Sequence, residues 1–123
     1  MTLRASILVA DDDETSARFL RRLLTREGHD VSVVHKGDDV ITVCHDAPPD
    51  LVLLDLVAPR GQGFDVCRRL KEDRFTRLIP VVIVTAQGDQ VDRLQGIQAG
   101  CDDFLVKPFD PTKLLEVIRK VIR

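Results

Sequence analysis

The chain has no tryptophan, no tyrosine and one methionine, so five phenylalanines are its whole aromatic complement. Cysteine is nearly as scarce. Cys44, Cys67 and Cys101 are too few and too widely spaced for a disulfide framework or a clustered zinc motif. Two of them fall in helix-like segments, where a small buried hydrophobe is the expected role. A reducing cytoplasm is the compartment that suits such usage. No apolar run approaches the roughly 20 residues of a membrane-spanning helix. An excess of one charge is missing too: 18 basic residues against 20 acidic ones leave a net charge of −2. That balance gives no bulk electrostatic reason to expect direct binding to nucleic acid or to an anionic membrane. Internal repeats, low-complexity tracts and linkers are absent, and the first six residues run straight into a strand pattern, so no signal peptide is expected. A single domain over residues 1–123 is expected, long enough for a core of its own.

What is present is an alternation. Five apolar, β-branched runs begin near residues 7, 31, 51, 81 and 103, with helical periodicity between them, as in a parallel α/β domain. The first, third and fourth runs are continuously apolar, as strands covered on both faces should be. The second, Val31-Ser32-Val33-Val34-His35, is interrupted by Ser32 and is placed at a sheet edge. A first helix is expected from about Thr15 to Glu27, with Ala17, Leu20, Leu23 and Leu24 inward, Phe19 beside that stripe and Gly28 as the stop. A second should cover about Asp38 to Asp46. The third should bury Phe64, Cys67 and Leu70. The fourth, about Gln90 to Ala99, should bury Leu94 and Ile97. The fifth, after Pro111, should bury Leu114, Leu115, Ile118, Val121 and Ile122.

Four of the runs end in reactive side chains. Asp11-Asp12-Asp13 follows Ile7–Ala10, Asp55 follows Leu51–Leu54, Thr85 follows Val81–Val84, and Lys107-Pro108 follows Phe104–Val106. In a parallel sheet the carboxyl ends of the strands share the edge at which open α/β folds bind ligands. Acidic clusters at strand ends also serve simply as helix caps. Carboxylates from two strands, together with a hydroxyl and an ammonium, suit a divalent cation and a phosphoryl group better. Mg²⁺ takes oxygen ligands and keeps several waters, and crowded carboxylates need a cation to stay ionised together. Lys107 is a point charge on a flexible stem that could reach Asp55 or a phosphate.

These residues spell a known pattern. Over nearly its whole length the chain resembles the receiver domain of two-component response regulators, of the chemotaxis-regulator type. The resemblance rests on 7–12, 50–56, Pro59 with Gly63-Phe64, Pro80 to Ala86, and Ala99 to Phe109, in that order. It implies a three-layer, flavodoxin-like (βα)5 domain whose five-stranded parallel sheet has the order 2-1-3-4-5. It also implies that Asp55 accepts a phosphoryl group from a phosphohistidine of a sensor histidine kinase or a histidine phosphotransfer protein. Asp12, Asp55 and the carbonyl of Val57 would bind Mg²⁺, with Asp11 helping through water. Thr85 would hold the phosphoryl group, and Lys107 would pair with it through a cis Lys107-Pro108 bond. Thr85 and Phe104 would form the switch, which in a chain without tyrosine has no ring hydroxyl, and the α4-β5-α5 surface would respond. The family's kinase-docking face includes the first helix, so Phe19 is either a partner contact or core.

Departures from the pattern add expectations. Gln62 stands where the family often has Asp, in a variable loop. Val57 and Gln87 lie two residues beyond Asp55 and Thr85, at positions that tune dephosphorylation. An apolar Val57 cannot orient an attacking water, which implies a long-lived phosphoryl group. Arg93 would face Lys113, and Val117 replaces an Arg in the dimer that DNA-binding members form through their fourth and fifth helices, so that dimer is disfavoured. The rival reading is a haloacid-dehalogenase-type phosphohydrolase, in which Asp11-Asp12-Asp13-Glu14-Thr15 supplies Asp11 as nucleophile and Asp13 as general acid. Against it, Asp102-Asp103 precede Lys107, and Asp55 goes unexplained.

Overall fold

Short apolar runs separated by amphipathic stretches give each strand two faces to bury, and helices on both sides of one sheet achieve it. The computed structural model describes residues 4–55, 62–85 and 90–122. Its elements run β1 (Ser6–Asp11), α1 (Glu14–Arg26), β2 (Asp30–Val34), α2 (Gly37–Asp46), β3 (Leu51–Asp55), α3 (Gln62–Glu72), β4 (Val81–Thr85), α4 (Gln90–Ala99), β5 (Asp103–Val106) and α5 (Pro111–Ile122). All strand pairs are parallel and the order is β2-β1-β3-β4-β5, as expected, with the interrupted second run at an edge.

Side chains alternate across the sheet with period two. Ile7, Val9, Leu51, Leu53, Val82 and Val84 pack with Leu20 and Leu24 of α1 and Leu114, Val117 and Ile118 of α5. Leu8, Ala10, Val52, Leu54, Val81 and Ile83 pack on the other face with Val40, Cys44, Val66, Cys67, Leu70 and Ala99 of α2, α3 and α4. The cysteines belong to this packing: burial pushes the Cys44, Cys67 and Cys101 thiols up to about 11, 12 and 11, which leaves them poor nucleophiles.

Local chemistry sets the helix ends. The Asp13 carboxylate accepts the Thr15 N–H at 3.0 Å and starts α1, and Asp110 does the same for Thr112 at 2.8 Å ahead of Pro111. Gly28 (φ 93°) and Gly100 (φ 88°) take the left-handed conformation that stops α1 and α4. α3 begins at Gln62, a position expected in the loop before it.

Two expectations fail. Leu94 and Ile97 are 54% and 71% exposed, whereas Gly96 and Ala99 of α4 are buried. A Cβ on Gly96 would stand 3.2 Å from the Phe104 ring and 3.3 Å from the Cys101 sulfur, so a small residue there lets the helix lie close to β5. Val117 does not occupy a surface position of α5 either. It is 4% exposed within the core, and Arg93 lies 5.4 Å from the Phe104 ring centroid. Buried in the core, Val117 is not available to an α4–α5 dimer face and bears on that dimer in neither direction.

The edge of the sheet away from the reactive strand ends is held by polar ties. Lys71 Nζ donates to the carbonyls of Arg77 (3.2 Å) and Ile79 (2.7 Å) and to Asp102 (2.9 Å), whose carboxylate also accepts the Val81 N–H at 2.7 Å. Lys71→Met strands these acceptors and should lower the unfolding free energy by about 1–2 kcal/mol, measured by urea denaturation. His29 is buried, and its Nδ1 accepts the Ala5 N–H at 3.1 Å, so that nitrogen must carry no proton. Burial holds its pKa below the usual 6.5. A base with a depressed folded pKa contributes stability that is complete above 6.5 and declines as the pH falls through its folded value. His29→Gln should therefore lose less stability than the parent between pH 7 and about pH 5. Parallel urea curves at each pH test this.

Candidate functional site

The sheet register brings the reactive residues together. Asp11 and Asp55 are partners across β1 and β3, and Thr85 is the partner of Val106 across β4 and β5. The Lys107 N–H donates to the Thr85 carbonyl at 2.7 Å, which fixes the residue after β5 against the end of β4. The Lys107-Pro108 peptide bond is cis, as the family pattern implied. From there the Lys107 side chain crosses to β3, where its Nζ forms an ion pair with Asp55 Oδ2. Asp55 is 2% exposed, and Thr85 is buried beside it in the same row of strand ends.

Asp11 is buried, and its Oδ1 accepts the Asp13 N–H at 2.9 Å. Among the described residues nothing donates a hydrogen bond to its buried Oδ2. Burial pushes the Asp11 carboxyl up to about 6 from 3.8, with the neighbouring Asp55 charge adding to the rise and the hydrogen bond from the Asp13 N–H opposing it. Asp12 follows the strand and is exposed. An orphaned carboxylate oxygen beside a second buried carboxylate fits a hard cation. Among the described residues no three His, Cys, Asp or Glu side chains form a complete cage. A cation held by these aspartates would thus draw its other ligands from backbone, water or substrate oxygens, the habit of Mg²⁺. Val57, Ala86 and Gln87 lie outside the described residues.

The sequence reading missed Ser16. Its Oγ donates to Asp55 Oδ2 at 3.3 Å and accepts from Lys107 Nζ at 3.2 Å. Ser16 stands four residues before Leu20 and eight before Leu24, both buried, so it prolongs the inward stripe of α1 to the lip of the sheet. That spacing, with α1 starting at the carboxyl end of β1, was the available signal. His35 was also unforeseen; a ring nitrogen lies 2.9 Å from the Asp11 carbonyl. Phe19 is 53% exposed and lines, with Ser16, Leu20, Lys107, Pro108 and Phe109, a groove of ≈ 680 Å³. It is therefore not core. Phe104 is half-buried between Gly96 and Arg93.

The phosphohydrolase alternative gains nothing from this geometry. Asp13, its general acid, is spent as the α1 cap, and Asp102 is tied to Lys71 and Val81 at the opposite edge. Asp55, which that reading leaves idle, is the buried partner of Lys107.

Comparison with known proteins agrees. The DNA-binding response regulator MtrA of Mycobacterium tuberculosis is 42% identical over 122 residues, 99% of this chain and 52% of that protein. The chain spans between about a quarter and about half of the curated relatives it matches. The signal receiver domain of a signal transduction histidine kinase from Syntrophus aciditrophicus superimposes with TM-score 0.87 and 29% identity, covering 96% of this chain and 89% of that one. The receiver domain of the sensor histidine kinase PA1611 from Pseudomonas aeruginosa, with a magnesium ion coordinated in its active-site cleft, gives TM-score 0.87 and 26% identity over 98% of both chains. No helix of the described residues is long and apolar enough to cross a membrane. The family model of the response regulator receiver domain matches residues 7–119. With the fold and the strand-end residues, this shows that the chain belongs to the receiver domains of two-component response regulators.

Proposed function

We propose that Asp55 is the phosphoacceptor and that residues 1–123 act as one receiver. The observation that carries this reading is a buried carboxylate at the end of β3 paired with an amine delivered from the end of β5. Receiver domains work with histidine kinases and are signalling modules, not metabolic enzymes. Here the donor is a phosphohistidine on a sensor kinase or a phosphotransfer protein in the cytoplasm. An Asp55 oxygen attacks phosphorus, the P–N bond breaks, and its electron pair returns to the imidazole, leaving a mixed anhydride on Asp55. The transition state spreads charge over the phosphoryl oxygens, so positioning and cations do most of the work. Lys107 offsets that charge from one side. Mg²⁺ held by Asp12, Asp55 and the Val57 carbonyl, with Asp11 acting through water, would neutralise it from the other.

The response uses Thr85 and Phe104. The Thr85 hydroxyl turns toward the phosphoryl oxygens, and Phe104 moves from its place beside Gly96 and Arg93 into the space released. The two arrangements lie within a few kcal/mol, so that one local charge event shifts the population. The α4-β5-α5 surface reports the change. A protein partner is our reading for this segment itself, because its net charge of −2 offers no field for nucleic acid. MtrA is named as DNA-binding over a length about twice that matched here, so this does not extend to a longer protein.

Incubation with acetyl phosphate and Mg²⁺ should add one group of about 80 daltons by intact mass, and Asp55→Asn should abolish it. A modification that survives that substitution, or none in the parent, refutes the assignment. Because Val57 offers no polar group to hold a water, the adduct should outlast the seconds scale after donor removal. Its decay in Mg²⁺, followed by mass, tests this.

A further inference from the structure

We propose that Ser16 is a positioning residue for phosphoryl transfer, holding the Lys107 ammonium at the acceptor oxygen of Asp55. The inference rests on the phosphoacceptor role of Asp55. Three groups form a closed triangle: Lys107 Nζ pairs with Asp55 Oδ2, Lys107 Nζ donates to Ser16 Oγ at 3.2 Å, and Ser16 Oγ donates to the same Oδ2 at 3.3 Å. The hydroxyl uses its one proton toward the carboxylate and a lone pair toward the ammonium, so its polarity matches both neighbours.

The need for such a group follows from the lysine. An ammonium on a four-carbon stem is a strongly hydrated charge with much rotamer freedom, and the Lys107 side chain is 31% exposed. Attraction to one carboxylate oxygen defines a distance and leaves direction open. A second acceptor at a fixed point defines both. Ser16 provides that point because its side chain has one short rotatable arm, set on the first turn of a helix that Asp13 caps and Leu20 and Leu24 anchor in the core. When Asp55 takes up the phosphoryl group, the amine must turn from the carboxylate oxygen to the new oxygens. A hydroxyl retained as its second acceptor keeps the amine beside them during that turn. Gain in rate then comes from orientation, which requires no contact between Ser16 and the donor.

The test uses acetyl phosphate and Mg²⁺ with the parent, Ser16→Ala, Ser16→Thr, Lys107→Ala and the Ser16→Ala/Lys107→Ala double variant. Rates are read by quenched intact mass across donor concentrations, and urea unfolding is measured on each. Ser16→Ala should lower the maximal phosphorylation rate about tenfold, with the half-saturating donor concentration and the unfolding midpoint nearly unchanged. Ser16→Thr, which keeps the hydroxyl, should recover most of the rate. In the Lys107→Ala background Ser16→Ala should produce no further fall, since its effect runs through that amine. A parent-like rate for Ser16→Ala overturns the proposal, as does a Thr variant no faster than the Ala variant, or an equal fall in the Lys107→Ala background. A parent that takes up no phosphoryl group instead refutes the phosphoacceptor assignment itself.

Discussion

The ion pair between Lys107 and Asp55 is the constraint around which the molecule is arranged. A carboxylate 2% exposed needs a countercharge, and removal of one partner from such a buried pair leaves the other stranded. The partners lie on strands that do not touch, β3 and β5, with β4 between them. Their meeting therefore requires the whole parallel register: Val52 against Val81, Val82 against Asp103, and the Lys107 N–H on the Thr85 carbonyl. The two hydrophobic layers hold that register, since a one-residue slip of any central strand would exchange its two buried faces.

This dependence runs in the other direction as well. Asp11, Asp55 and Thr85 are the last residues of their strands, and each follows side chains that alternate between the α1/α5 layer and the α2/α3/α4 layer. Backbone hydrogen bonding thus sets where the polar groups stand, and the core sets which of them are dry. Asp11 shows the cost of that arrangement. Its second oxygen is buried without a donor among the described residues and its carboxyl is raised to about 6, a tension that a hard cation relieves.

Most of this was legible in the order of residues because strand ends are read from local pattern. Continuous apolar runs marked β1, β3 and β4, Ser32 marked the edge, and the family motifs supplied the strand order. The misread parts are those where packing depends on partners distant in the chain. Leu94 and Ile97 have the three-residue spacing of a buried stripe, yet α4 turns Gly96 and Ala99 inward because Phe104 and Cys101 already fill the volume beneath. Val117 resembled a surface position until the α5 core claimed it. Ser16 was silent for a related reason: a serine in a first helical turn is ordinary, and its two partners lie 39 and 91 residues away.

The reactive groups are strand tips, and this separates two properties that many proteins must trade against each other. The side chains that form the two layers end one residue before those tips, so packing and polar groups occupy different positions of the same strands. A lineage can therefore vary the polar row in small steps while the scaffold stays the same.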